Sequence, residues 1–233
     1  MPLFIDPAYF LCILPGVMLA LWAQARISSA YAEGSRVQAS SRLTGAQAAH
    51  EVMRSAGVQG VRIEPVAGQL TDHYDPSHKV LRLSEGVYGG TSLAALGVAA
   101  HEAGHAIQDA QHDRGLVVRN LIVPMAGIGS SVFWLFILAG VVLGMFHLIV
   151  AGIVLFSLNV LFQLVNLPVE FDASRRARQA LLALRLVDPR EDETVGRVLN
   201  AAAWTYVAAT LTSVLSLLYY LLRFGVIGGG SRD

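Results

Sequence analysis

The chain has 233 residues, a formal net charge of zero and an isoelectric point near 7.1. Only 15% of its residues are charged, against roughly 25% in soluble domains, while 54% are hydrophobic and the mean hydropathy is +0.53. These values argue against an ordinary soluble domain, offer no basic excess for nucleic acid, and put membrane spans first.

In chain order, residues 9–25 form the first apolar run, with Pro15 inside it and Cys12, the single cysteine, within it. One cysteine makes no internal disulfide and no thiolate zinc cluster, so any bound metal draws on histidine and carboxylate. Ala23-Gln24-Ala25 fits a signal-cleavage pattern, but only Asp6 and no basic residue precedes the run. Signal peptides carry a basic leading region, so residues 1–25 are expected to stay as a transmembrane anchor.

Residues 26–120 are more polar and predict a small α+β domain. "TGAQAAHEVMRSAG" (44–57) reads as a helix capped by Thr44, apolar at Ala48, Ala49, Val52 and Met53, and stopped by Gly57. Residues 61–66 and 79–84 alternate as strands, with a turn-rich stretch around Asp75-Pro76 between them. Residues 86–92 read as a loop whose Thr91 or Ser92 caps the next helix.

Three further runs are long enough to cross about 30 Å of hydrocarbon: residues 121–145, 148–167 and 201–222. The first two are expected to form a tight hairpin (121–167) turning around His147, and Gly127, Gly129, Ser130 and Ser131 suit close helix packing. Residues 168–200 carry six arginines (175, 176, 178, 185, 190 and 197). By the positive-inside rule this segment and residues 26–120 face the cytoplasm, with Arg223 beside the last span (201–224) opposing the scheme weakly. Residues 225–233 read as a tail. The expected fold is mainly α and integral to the membrane, with about four transmembrane helices and a small zinc domain.

The chemistry concentrates at His101-Glu102-Ala103-Gly104-His105. On a helix, residues i and i+4 share a face, so both imidazoles of this H-E-x-x-H can meet one Zn²⁺. Glu102 beside them is placed to take a proton from an attacking water and pass it to the leaving amine. Polar groups in so apolar a helix need a partner, and chance occurrence of five residues explains that need poorly. A catalytic zinc takes a third protein ligand. The extension that would put Gly at 108 and His at 111 is replaced by Gln108 and Gln111, and His112 is out of register. Glu170, just past the third span, returns to the depth of the zinc helix if the hairpin folds back. Asp172 and Asp188 are rivals, and an ion pair with Arg175 or Arg176 is the plainer alternative for Glu170.

"LTDHYDPSHKVLRLS", "HEAGHAIQ" and "NLPVEFDASRRA", in that order, resemble the bacterial membrane zinc metallopeptidases of the YugP-like family, across nearly the whole chain. A wider likeness is to Ste24/HtpX-type gluzincins, whose helix after a membrane hairpin supplies the third ligand through E-x-x-x-D. Here that stretch is Glu170-Phe171-Asp172-Ala173-Ser174, so the ligand position is kept while Ser174 replaces the Asp. The resemblance implies Zn²⁺ on His101, His105 and Glu170, and leaves Ser174, Asp172 or another residue to orient a histidine. It also implies that residues 79–84 bind substrate backbone as an edge strand, an ordinary core strand being the alternative. His73 and Tyr74 are candidate donors to the oxyanion, against a plain turn with an exposed histidine. Arg175 and Arg176 either contact substrate or only set topology. His50, His78 and His112 read as surface residues.

The expected activity is a zinc endopeptidase acting on membrane-associated proteins or peptides at the inner, cytoplasmic face of the cell membrane. Rival readings are a site-2-type intramembrane protease, which places its motif within a span; a non-catalytic zinc-binding assembly protein; and a di-iron site, which needs a second E-x-x-H that the chain lacks.

Overall fold

The computed structural model describes residues 6–227. Of the expected tail at 225–233, residues 228–233 lie outside the described residues, as do residues 1–5 of the expected anchor. Elements follow in the order α1 (Pro7–Arg36), α2 (Gly45–Ser55), β1 (Arg62–Val66), β2 (His73–Asp75), β3 (Val80–Ser84), α3 (Glu85–Tyr88), α4 (Leu93–Ala110), α5 (Arg114–Leu143), α6 (Phe146–Ala183) and α7 (Pro189–Arg223). The four long helices α1, α5, α6 and α7 are each long and apolar enough to cross a membrane. The protein is a mainly helical membrane protein with a small sheet.

Two compact units divide the chain. The first holds residues up to Trp22, Val118–Leu167 and the chain from Thr205 onward. Its helices display large apolar side chains outward, with Leu11, Leu121 and Val142 about 70% exposed, the arrangement lipid solvates. Inside, Ile137, Ile149 and Ile153 pack with Phe133, Leu217 and Tyr220. The turn from α5 to α6 is at Gly144 and Met145, with Gly144 at φ +65°. It therefore precedes His147, which lies in the first turn of α6. Gly129 is a close-packing glycine, since a Cβ there would sit 2.6 Å from the Leu155 carbonyl oxygen. Gly127 faces open space instead, and its carbonyl accepts from Ser130 and Ser131. Asp6 accepts from Tyr219 (2.6 Å) and Arg223 (3.3 Å), so the arginine at odds with the charge rule is paired with a carboxylate.

The second unit, Ala23–Val117 with Pro168–Trp204, surrounds α4. α1 does not stop near Ala25 but continues to Arg36, and Ile27 joins a buried cluster with Ala94 and Val198. α2 forms as its sequence requires. Thr44 accepts from the Gln47 amide, and the Gln47 side chain accepts from Thr44 N–H, a reciprocal capping box. Past the helix, Gly57 takes φ +73°.

The sheet runs β1-β3-β2, with β1 parallel and β2 antiparallel to β3. Asp75 closes the β2–β3 turn by accepting from the Ser77 and His78 amides at 3.0 and 3.2 Å. β2 itself lies inside the stretch read as turn, because its three residues are too few to show an alternation. The strand expected at the edge, β3, is central, with Val80, Leu81 and Leu83 buried. Both of its sides are already paired, so it offers no edge to a substrate strand. β1 carries Pro65 and lies at an edge, where a missing N–H is tolerated. The expected loop at 86–92 begins as the short helix α3. Ser92 then caps α4 by accepting from the Ala95 amide at 3.2 Å.

Candidate metal centre

α4 is alanine-rich because it is packed on nearly every side. Ala94, Ala99, Ala100 and Ala103 are fully buried, and larger side chains would hold its neighbours away. The tightest approach is at Gly104. A Cβ there would lie 2.8 Å from the carbonyl oxygen of Ala173 on α6. α6 reaches that point because it does not end with the apolar run but continues through Pro168 as one helix.

This contact brings three side chains together. Glu170 Oε2 lies 3.2 Å from His101 Nε2 and 3.5 Å from His105 Nε2. One ligand atom from each of the three residues falls within 4.8 Å of the others. Two ligands about 2.05 Å from a tetrahedral ion are about 3.3 Å apart, so the spacing suits a zinc-sized ion. The imidazoles stand nearly perpendicular, at 85°, with centroids 4.9 Å apart. Both therefore turn Nε2 inward and Nδ1 outward.

The outward nitrogens are held. His101 Nδ1 is 3.0 Å from Ser174 Oγ, and His105 Nδ1 is 2.9 Å from Gln108 Oε1. Gln108 is fully buried, and its Nε2 donates to the Val169 carbonyl at 3.0 Å and to Asp172 at 2.9 Å. Asp172 also accepts from Arg175 and Arg176, and Arg176 reaches on to Gln111 at 2.6 Å. Burial acts to lower the pKa of His105, but the Glu170 hydrogen bond and the Glu102 and Glu170 charges raise it above its ordinary 6.5 overall. The site thus favours positive charge at its centre, as a cation site does.

Glu102 is buried beside the cluster, and no hydrogen bond holds its carboxylate among the described residues. The rival carboxylates are engaged elsewhere. Asp172 faces Gln108 and the arginines, while Asp188 caps α7 by accepting from the Arg190 and Glu191 amides at 2.8 Å each. His73 and Tyr74 make their hydrogen bonds away from the three ligand atoms. His73 Nδ1 lies against the Thr71 carbonyl at 2.8 Å, and Tyr74 donates to Asp109 at 2.6 Å. Burial, then the Asp109 hydrogen bond, push the Tyr74 phenol well above its ordinary pKa, so it stays a neutral donor. His112 follows the end of α4 at φ +51°, and His78 pairs with Asp75.

Residues 9–225 match the family described as "Putative neutral zinc metallopeptidase". The chain belongs to this family. It is also 46% identical over 215 residues to the "Putative membrane protease YugP" of Bacillus subtilis, covering 92% of this chain and 94% of that protein. No solved structure matches. Zinc is accordingly the cofactor of this family member, and the donor set of two imidazoles and one carboxylate is of the kind zinc takes. Sequence reading of this family member passed over Gln108, which counted only as a failed glycine. Its signal was there: a polar side chain three residues past His105, on the same face of an apolar helix. Asp109 was missed as well, although it joins Tyr74 on β2 and Lys79 to α4.

Proposed function

We propose that the protein is a membrane-embedded zinc endopeptidase in which His101, His105 and Glu170 hold the metal and Glu102 is the general base. The observation that carries this reading is the convergence of three donor atoms at zinc spacing, with an unengaged carboxylate beside them. Zinc bound there supplies Lewis acidity, which makes a water nucleophilic near neutral pH and polarises a scissile carbonyl. The chain's own residues do the rest. Glu102 accepts the proton of the attacking water as the new C–O bond forms, then delivers it to the amine nitrogen as the peptide C–N bond breaks. Ser174 and Gln108 keep the histidine rings in place. Three protein donors are the number a catalytic zinc uses, whereas a structural zinc takes four.

The motif lies on α4, which is not among the four candidate spans, so the reading favours a site outside the hydrocarbon over a site-2-type intramembrane protease. The relative's printed name and the four apolar helices support membrane-associated proteins or peptides as substrates. The arginines of residues 168–200 favour a cytoplasm-facing site in the cell membrane. The test is metal content and casein cleavage by the purified protein in detergent. Glu102→Gln is expected to keep zinc and lose cleavage, while Glu170→Ala is expected to lose both. Full cleavage by Glu102→Gln would sink the mechanism. A tag after Asn120 that only periplasmic reagents reach would overturn the orientation.

A further inference from the structure

We infer that Gln108 is a positioning residue of the metal centre: an amide relay from Asp172 to His105 that holds the hydrogen of the ring on Nδ1 and turns Nε2 toward the metal position. This inference rests on the ligand assignment above and adds the device that prepares one of those ligands.

Gln108 has no solvent exposure, so each polar atom of its amide needs a partner inside the protein. The two acceptors near Nε2, the Val169 carbonyl at 3.0 Å and the Asp172 carboxylate at 2.9 Å, take only donated hydrogens. They fix which end of the amide is NH₂, so the end facing His105 is the carbonyl oxygen, 2.9 Å from Nδ1. A carbonyl accepts and never donates. His105 must therefore carry a hydrogen on Nδ1, so Nε2, which faces Glu170 and the metal position, is the nitrogen that becomes the metal donor once its own proton leaves. A glutamine free to flip would present NH₂ to Nδ1 and favour the opposite tautomer, in which Nε2 is blocked by hydrogen.

What prevents the flip is the chain of contacts behind it. Asp172 is held by Arg175 and Arg176, and Arg176 also reaches Gln111 at 2.6 Å and Asp113 at 3.5 Å, just past the end of α4. The two histidines are thus held by unlike devices. His101 meets a hydroxyl, Ser174, which rotates to donate or accept, whereas His105 meets an acceptor with a fixed direction. The asymmetry makes His105 the ligand whose Nδ1 hydrogen is held in place before metal arrives.

The test measures zinc affinity of the full-length protein in detergent by chelator competition, with ¹⁵N-histidine NMR of the zinc-loaded form. Gln108→Leu removes the acceptor while keeping an apolar side chain of similar reach. It is expected to weaken zinc binding by about 10- to 100-fold and to shift the Nδ1–H signal of His105. Zinc affinity within about twofold of wild type, or an unmoved Nδ1–H signal, overturns the relay. If Gln108→Leu fails to fold, a charge rearrangement decides. Gln108→Glu sets two carboxylates against each other and is expected to bind zinc weakly. Adding Asp172→Asn supplies a donor to the new carboxylate and is expected to restore affinity, and equal affinity of these two variants overturns the relay. Glu170→Ala is the control that separates the two claims. If it keeps wild-type zinc affinity, the ligand assignment itself fails; if it loses zinc while Gln108→Leu does not, only the relay fails.

Discussion

Each of the two units is packed internally, and by opposite means. In the apolar unit the helices meet at small residues. A Cβ at Gly152 would sit 2.8 Å from the Phe133 carbonyl oxygen, and one at Gly16 would sit 2.9 Å from Thr212 Cα. Hydroxyls there mostly bond back to their own helix, as Ser157 does to Ile153 and Thr210 to Tyr206. In the unit around α4, polar side chains link separate elements: Gln108 to α6, Tyr74 to α4, and Arg178 on α6 to Asp192 on α7. The reason is the solvent. Lipid gives helices no hydrophobic drive toward one another, so close backbone packing must hold them. Buried polar groups around a metal are costly unless every one is partnered, so there the contacts specify position.

Five measurements test whether the metal centre and the apolar unit depend on different contacts. The largest expected effect is on catalysis alone. Glu102→Gln should lower the cleavage rate by about 10²- to 10⁴-fold with little change in melting temperature, because no hydrogen bond among the described residues depends on that carboxylate. Gly104→Val comes next. Its side chain meets the Ala173 carbonyl oxygen, and pushing α4 from α6 should cost about 1–3 kcal/mol and release zinc, read by denaturation and metal analysis. Gly152→Leu is the matched change in the other unit. It should cost a similar about 1–3 kcal/mol and leave zinc content at wild type, and zinc loss here would end the separation of roles.

The fourth measurement is pH dependence. The proton on His105 has a raised folded pKa, so in the metal-free protein it contributes stability that is fully present below the ordinary 6.5 and lost as pH rises through the higher folded value. Zinc must displace that proton. The gain in melting temperature on adding zinc should therefore grow as pH rises from about 6 to about 8. The smallest effect is expected from Tyr74→Phe. Losing its bond to Asp109 should cost about 0.5–1.5 kcal/mol and leave cleavage within a few-fold. A loss of about 100-fold in the cleavage rate would instead make Tyr74 the oxyanion donor that its neighbourhood in sequence suggested.

Local features were legible in the chain. The capping box at Thr44 and the stop at Gly57 follow from side-chain chemistry within a few residues, and the four spans follow from composition over about 20. The pair His101 and His105 shares a helix face by spacing alone. Features that depend on a partner were not. β2 is too short to show a period, and whether β3 is edge or centre depends on two other strands. The length of α1 beyond Ala25 reflects Ile27 packing against Ala94 and Val198, residues far along the chain. Gln108 looked like a broken motif because its partners, Val169 and Asp172, lie on α6.

Composition and spacing alone make this an apolar chain with four candidate spans and with two histidines and a glutamate on one short helical stretch. Which of three carboxylates faces those histidines depends on contacts between helices far apart in the chain. Glu170 and Asp172 are two residues apart, so on a helix they point about 200° apart. The phase of α6 where it touches Gly104 turns Glu170 to the imidazoles and Asp172 to Gln108. Helical period is a local property and can be read from spacing, but the rotation of one helix against another is set where they touch.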